Sequence, residues 1–263
     1  MQHHKRNKRN THRNVTGLVV LLTTLSSLLL VNMTALAATE EENVLRADEI
    51  ATLFRAARAV ISKNQSHIND PNVGDKGLSG DVLVEQAKVN YEKAKGRAFA
   101  MADPGSETGR AQQVFFDSLS AVMDEAAALI NEKGKGFKGF LPAVFAKAVA
   151  DEFSRGMNGE MSIKLTAPKA YVRNRRNRPD AWEASVIQDQ FLAAGYETGK
   201  PFWETTSYNG QPTFRYIIPE YYGESCLSCH GGPKGERDIT GGLKEGGVLG
   251  ELGGAISLTI AAN

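Results

Sequence analysis

The sequence predicts an α+β fold in which a helical N-terminal half precedes a small antiparallel sheet. Apolar residues recur at intervals of three and four through several segments before residue 156, as amphipathic helices require. After residue 160 the pattern changes to short apolar runs, and the Asn209-Gly210 pair between two of them is a strong hairpin signal. A group of helices followed by paired strands indicates the α+β class.

Four helices are expected before the sheet, over residues 44–63, 80–99, 108–132 and 141–155. Ser79 offers a cap for the second, and Pro142 suits the first turn of the fourth. The Gly134–Gly139 segment contains three glycines and is expected to be a turn or hinge. We take it as the boundary between a helical region, 38–139, and a sheet domain, 140–263.

Four strands are expected over residues 161–167, 202–208, 213–218 and 254–260, with a fifth helix over 179–194. A basic loop, 171–178, separates the first strand from this helix. A glycine-rich loop, 231–250, precedes the last strand.

The N-terminus has the composition of an export signal. Basic residues without any acidic residue precede an apolar run from Val15 to Met33, and Ala35-Leu36-Ala37 offers a small-x-small cleavage site. We therefore expect a signal peptide over residues 1–37, cleavage after Ala37 and a periplasmic or otherwise exported protein. Retention of the apolar run as a membrane anchor is the alternative, although its length and polar residues make it marginal as a span.

Removal of this segment makes the chain acidic. It takes five of the 31 basic residues and none of the 30 acidic ones, so the mature protein carries a net negative charge. Nucleic-acid binding would require a basic patch on a basic domain, so we expect no nucleic-acid partner.

The most informative motif lies near the C-terminus and contains both cysteines of the chain: Cys226-Leu227-Ser228-Cys229-His230. C-x-x-C-H is the attachment signature of c-type haem. Two thiols three residues apart lie on one side of a helical turn, where they can add to the two vinyl groups of a porphyrin. The following histidine is placed to ligate the iron. We expect one covalent haem c with His230 as the proximal ligand.

Other interpretations of this motif explain less of it. A structural zinc site needs four ligands, and the mature chain adds only one further histidine and no thiol. A thioredoxin-type redox pair would follow a strand and open a helix in a βαβ unit, which the flanking residues do not predict. A disulfide between Cys226 and Cys229 would leave His230 without a role.

The C-terminal half resembles a known family over about residues 140–260. The matching segments are Arg173-Asn174-x-x-Asn177-Arg178-Pro179-Asp180-Ala181-Trp182-Glu183, the C-x-x-C-H motif, Lys244-Glu245-Gly246 and Gly254-Ala255-Ile256-Ser257. They are similar to a c-type haem family with a PAS-like fold, long catalogued as a domain of unknown function. Its members occur as exported single-haem proteins and as the sensing part of histidine kinases.

The resemblance implies roles for matching positions. Cys226 and Cys229 would hold the haem, His230 would ligate its iron, and Arg173 and Trp182 would shape the haem pocket. Some members carry a further upstream cysteine that could serve as the sixth iron ligand, and this chain has none. A PAS-like architecture for the sheet domain is an expectation of the resemblance alone.

Two residues are candidates for further contacts with the haem. His67 is the only other histidine after the signal segment, and it is a candidate sixth ligand from a polar loop. An ordinary exposed loop histidine is the simpler interpretation. We expect the iron to be open on that side or weakly ligated by His67. Arg173, in its basic loop, is a candidate partner for the haem propionates.

These features predict an exported mono-haem protein that senses redox state or a small gas such as CO, NO or O2. The alternative is a periplasmic electron-transfer cytochrome, and a haem peroxidase-like enzyme is a third interpretation. No kinase domain occurs in this sequence, so a signal would pass to a separate partner protein, and electrons to a redox partner.

Overall fold

The computed structural model describes residues 40–262 and confirms the predicted α+β class. The predicted signal peptide and its cleavage site lie outside the described residues. The helices are α1 (40–63), α2 (Gln65–Ile68), α3 (Gly80–Lys95), α4 (Glu107–Ile130), α5 (Pro142–Gly156), α6 (Ala181–Val186) and α7 (Glu224–His230). The strands are β1 (Met161–Thr166), β2 (Phe202–Tyr208), β3 (Gln211–Tyr221) and β4 (Leu252–Ala261). None of the helices among residues 40–262 is long and apolar enough to cross a bilayer.

Capping residues explain where the predicted helices begin and end. Ser79 caps α3 by accepting a hydrogen bond from the Val82 N–H. The helix ends at Lys95 because Gly96 adopts a left-handed conformation, φ 67°, and its N–H bonds back to Glu92. The expectation that this helix continues to Phe99 was therefore wrong, while α4 and α5 lie within two residues of their predicted limits.

The four strands form one antiparallel sheet in the order β1-β4-β3-β2. Asn209 and Gly210 connect β2 to β3, and both have positive φ, 52° and 78°, as a type I′ hairpin turn requires. The predicted hairpin is confirmed. The second strand of this hairpin, β3, is longer than expected. It continues to Tyr221 and leads almost directly into α7.

Alternating side chains of the sheet contribute to two different cores. Phe214, Tyr216 and Ile218 of β3 point to the helices α1–α5 and join their large core of buried aromatic and aliphatic residues. The intervening Ile217 points to the opposite face, where it packs with Val186 and other residues around α6. From Val44 onward the described chain is one compact unit. The division at 134–139 into a helical region and a sheet domain stays a prediction.

The helix α6 begins later than predicted and changes its form. Asp180 caps it through a capping box with Glu183, which leaves Pro179 outside the helix. After Val186 the chain continues as a π-helical turn, Ile187–Phe191, in which the Leu192 N–H bonds to the Ile187 carbonyl at 3.0 Å.

Candidate functional site

The C-x-x-C-H motif forms the short helix α7, which starts directly after the sheet. The Cys226 N–H bonds to the Gly223 carbonyl at 3.0 Å, and the Gly231 N–H closes the helix on the Leu227 carbonyl at 2.9 Å. A Cβ atom at Gly231 would lie 2.5 Å from that same carbonyl oxygen, so the close approach requires glycine. Cys226 and Cys229 are both half-buried free thiols on this one helix.

The His230 side chain has a defined orientation. Its Nδ1 lies 2.9 Å from Oε2 of Glu245. An ionised carboxylate only accepts hydrogen bonds, so Nδ1 donates, and in the neutral ring Nε2 keeps its lone pair. The imidazole also lies nearly parallel to the Tyr222 ring, with centroids 5.3 Å apart and an interplanar angle of 18°. Hydrogen bond and stacking together hold the ring in one orientation.

Glu245 is held in turn by Arg173. The Arg173 guanidinium donates to both carboxylate oxygens of Glu245, at 2.6 and 2.9 Å, in a bidentate pair. Burial raises the pKa of the Glu245 carboxyl, but the hydrogen bonds from Arg173 and His230 outweigh that effect and hold the pKa below its usual range. The carboxylate facing His230 is therefore ionised and fixed in position.

Arg173 also connects this pair to the motif helix and to the loop around it. It donates to the carbonyl of Cys229 at 2.7 Å and to that of Leu243 at 3.0 Å. It forms an ion pair with Asp238, whose buried carboxylate also accepts from the Thr240 N–H. Although Arg173 belongs to an exposed segment, its side chain is only 29% exposed because these groups surround it.

The glycine-rich loop closes over the end of α7 through its backbone. The Gly247 N–H bonds to the His230 carbonyl at 2.8 Å, and the Gly246 N–H bonds to the Gly231 carbonyl at 3.2 Å. A Cβ atom at Gly247 would lie 2.4 Å from a Tyr222 ring carbon. This close packing aligns the loop so that the Glu245 carboxylate meets the imidazole.

Tyr222 is buried directly behind His230. Its hydroxyl has no hydrogen-bond partner among residues 40–262. Burial, and then the nearby charge of Glu245, raise the pKa of this hydroxyl, so it stays protonated. The ring acts as an apolar support for the imidazole.

The first helix contacts the chain on both sides of the start of α7. Arg55 and Arg58 of α1 pair with the Glu220 carboxylate at 2.5 and 2.8 Å. Ser62, near the end of α1, bonds to the hydroxyl of Ser225 at 3.1 Å. The motif helix is thereby joined to α1 as well as to the glycine-rich loop.

The two remaining predicted site residues, Trp182 and His67, make contacts elsewhere in the structure. Trp182 donates its indole N–H to Glu204, and its ring lies 4.2 Å below the Arg215 guanidinium. His67 lies exposed in α2 and donates from Nε2 to the Lys76 carbonyl at 2.9 Å. Neither set of contacts includes the motif helix, and the haem-related roles of both residues stay predictions.

Sequence patterns alone did not assign a role to Glu245 or Tyr222. In the sequence Glu245 is only the acidic residue of the matching Lys244-Glu245-Gly246 segment, and no motif singles out Tyr222. Across the part of the chain that the structure describes, no group of three or more His, Cys, Asp or Glu side chains is arranged to hold a metal ion.

Comparisons with known proteins give one result. No curated protein and no solved structure matches the chain. The sequence profile of the Tll0287-like family (Tll0287) matches residues 36–261, which include the whole motif, the Arg173 loop and the sheet. The chain therefore belongs to the Tll0287-like family.

Proposed function

We propose that this protein is an exported, mono-haem c-type haem-binding protein that senses redox state or a small gas. The observation that supports this most strongly is the arrangement of Cys226, Cys229 and His230 on one short helix, with the histidine held by Glu245 at Nδ1. That arrangement leaves two thiols for the vinyl groups and Nε2 for the iron.

The residues present fit a covalently held haem. Both thiols are free, partly accessible and three residues apart on one helix. A metal-binding histidine usually donates its other ring N–H to a carboxylate or carbonyl, and Glu245 occupies that position at 2.9 Å. When bound, haem supplies an iron that can change oxidation state and accept a diatomic ligand. The protein's own residues would hold that iron on the His230 side.

The contacts of α1 support a sensing role. A sensor needs an element whose arrangement differs between the ligand-free and ligand-bound states. Glu220 and Ser225 flank the start of α7, and α1 binds both through Arg55, Arg58 and Ser62. A small movement of the motif helix would therefore change the contacts of α1. The signal would pass from there to a separate partner protein.

A second candidate function is periplasmic electron transfer to a redox partner. The dense hydrogen bonding of Arg173, Glu245 and His230 favours it, because a rigidly held iron ligand is what a simple carrier needs. A haem peroxidase-like enzyme would need a distal acid–base residue, for which His67 is the available imidazole. We propose no catalytic residues, because His67 instead donates to the Lys76 carbonyl.

Covalent haem is tested by expression with the native leader in a bacterium that has cytochrome c maturation machinery. We expect the protein to keep a haem stain after denaturing electrophoresis and the Cys226→Ala/Cys229→Ala variant to lose it. A well-matured wild-type protein without the stain would contradict the proposal. Mass spectrometry of the same sample should find a start at Ala38, whereas an intact Met1 would indicate a retained leader.

The absorption spectrum of the reduced protein with and without CO separates the two candidate functions. We expect CO to bind, slowly if His67 must first leave the iron. In that case His67→Ala should speed binding and convert a low-spin spectrum to a high-spin one. A ferrous haem that stays low-spin and does not bind CO would favour the electron carrier.

A further inference from the structure

We propose that Glu245 is a positioning residue, which fixes His230 in the Nδ1–H tautomer and increases the electron donation of its Nε2 to a bound iron. Only the second part of this inference, the effect on electron donation to iron, rests on the proposed haem function. The tautomer is a property of the polypeptide and is measurable without haem.

The tautomer follows from the chemistry of the acceptor. Glu245 forms a bidentate ion pair with Arg173, and its Oε2 lies 2.9 Å from Nδ1 of His230. A carboxylate offers no proton, so the ring must supply it from Nδ1. Arg173 holds both oxygens of this carboxylate, so the acceptor cannot rotate away. The Nδ1–H tautomer is the one that leaves Nε2 available to a metal.

The rest of the surroundings restrict how the ring can turn. Tyr222 covers one face of the imidazole, and the Gly247 N–H holds the carbonyl of His230 itself. Tyr222 is in turn enclosed by Gly247 and Gly253, at which added Cβ atoms would lie 2.4 and 2.3 Å from its ring. A residue with a side chain at either position would displace Tyr222, which supports the His230 ring.

Charge makes this acceptor different from a backbone carbonyl. A hydrogen bond to an anion draws the Nδ1 proton away from the ring more strongly than a bond to a neutral carbonyl does. The imidazole becomes more basic at Nε2, and a more basic ligand stabilises the higher oxidation state of a bound iron. Arg173 moderates the effect, since it shares the charge of the same carboxylate.

His67 provides an internal contrast. It donates to the Lys76 carbonyl from Nε2, so it should be the opposite tautomer. After removal of the predicted leader, these are the only two histidines of the chain. One spectrum can therefore distinguish them.

The first test uses the haem-free protein without an affinity histidine tag, labelled with ¹⁵N at histidine, in alkaline buffer. Long-range ¹H–¹⁵N spectra should show an Nδ1–H tautomer for His230 and an Nε2–H tautomer for His67. The His230→Ala variant assigns the signals. An Nε2–H tautomer at His230 would overturn the inference whether or not the protein binds haem.

The second test compares haem-loaded variants. Glu245→Gln keeps an acceptor at the same position but removes its charge. We expect covalent haem to be retained, the ferrous iron–histidine stretching frequency to fall, and the ferric form to be disfavoured about tenfold, a rise in potential of about 59 mV for one electron. Glu236→Gln is the matched control, because Glu236 is an exposed carboxylate of the same loop that pairs with Lys244.

The outcomes of the second test are distinct. Equal shifts in the Glu245→Gln and Glu236→Gln variants would mean that only net charge acts, and the positioning role would be wrong. An unchanged stretching frequency and potential in Glu245→Gln would also overturn it. A wild-type protein without covalent haem would instead contradict the proposed function and leave the tautomer test to decide on Glu245.

Discussion

Two arginine-centred clusters in this protein have the same composition but opposite surroundings. Arg173 binds Glu245 and Asp238 beside the motif helix, and Arg215 binds Asp180 and lies 3.7 Å from Glu183 at the start of α6. Arg215 is 3% exposed and is covered by the Trp182 ring, whereas Arg173 is 29% exposed and lies among glycine-rich loop residues. In each cluster one arginine lies beside two carboxylates.

The difference lies in what else each carboxylate touches. Asp180 and Glu183 cap the first turn of α6 reciprocally, so the Arg215 cluster stabilises a helix against the sheet. Glu245 instead accepts a hydrogen bond from the Nδ1–H of His230, and Arg173 donates to the neighbouring carbonyl of Cys229. The same ion-pair chemistry thus serves packing in one place and orientation of a candidate iron ligand in the other.

Replacement of Arg215 should have the larger effect on stability. The Arg215→Met variant leaves the almost fully buried Glu183 with Lys164 as its remaining cationic partner and removes the ion pair of Asp180. We expect a loss of roughly 3 kcal/mol in the free energy of unfolding, measured by urea denaturation. Arg176→Met, in an exposed turn, is the control and should change stability by less than about 0.5 kcal/mol. Equal stabilities of the two variants would contradict this description of the Arg215 cluster.

Replacement of Arg173 should cost less stability but should affect the site. The Arg173→Met variant leaves the buried Asp238 carboxylate with hydrogen bonds but without its cation. We expect a loss of roughly 2 kcal/mol, since the guanidinium is partly solvated. In the haem-free protein the tautomer signals of His230 should broaden or mix, because Glu245 is no longer held. Arg215→Met should leave those signals unchanged under conditions where it is folded. Altered His230 signals in Arg215→Met, with unchanged signals in Arg173→Met, would contradict the different roles of the two clusters.

The smallest effect is expected from Asp180 and depends on pH. Burial raises the pKa of Asp180. The hydrogen bonds from Arg215 and from the Glu183 N–H, together with the positive charges of Arg215 and Lys164, outweigh that effect and hold the pKa below its usual value. A carboxyl with a lowered folded-state pKa contributes stability above its unfolded value of about 4, and this contribution is lost as pH falls through the folded-state pKa. Asp180→Asn keeps a good helix cap and removes this contribution. Its unfolding free energy should be about 1 kcal/mol lower at neutral pH and should fall less steeply than that of wild type below pH 4. Parallel pH profiles would contradict the prediction.

Local sequence patterns predicted the elements of this fold well. The helices before the sheet and the hairpin at Asn209-Gly210 follow from apolar periodicity and from residues that accept a positive φ. The errors have local causes that were easily overlooked. Gly96 ends α3 early, and Asp180 moves the start of α6 beyond Pro179.

The site could be predicted only in part, because its second layer is assembled by long-range contacts. The spacing of Cys226, Cys229 and His230 is visible in the sequence, since the three lie within one helical turn and a half. Arg173 and Glu245 are 72 residues apart along the chain, and no local pattern relates them. Arg173 was expected to contact a bound group, whereas its donors bind Glu245, Asp238 and two carbonyls.

The central proposal is that haem is attached through both cysteines beside a histidine held by Glu245. Trypsin should release residues 216–234 as one peptide, since it cleaves after Arg215 and Lys234 and no lysine or arginine lies between them. Mass spectrometry of this peptide, from protein expressed with its leader alongside cytochrome c maturation machinery, is the most direct test. We predict that it carries the mass of one haem, and that fragmentation places the added mass on the segment from Cys226 to Cys229. A peptide of unmodified mass, with two free thiols or a disulfide, would contradict the proposal.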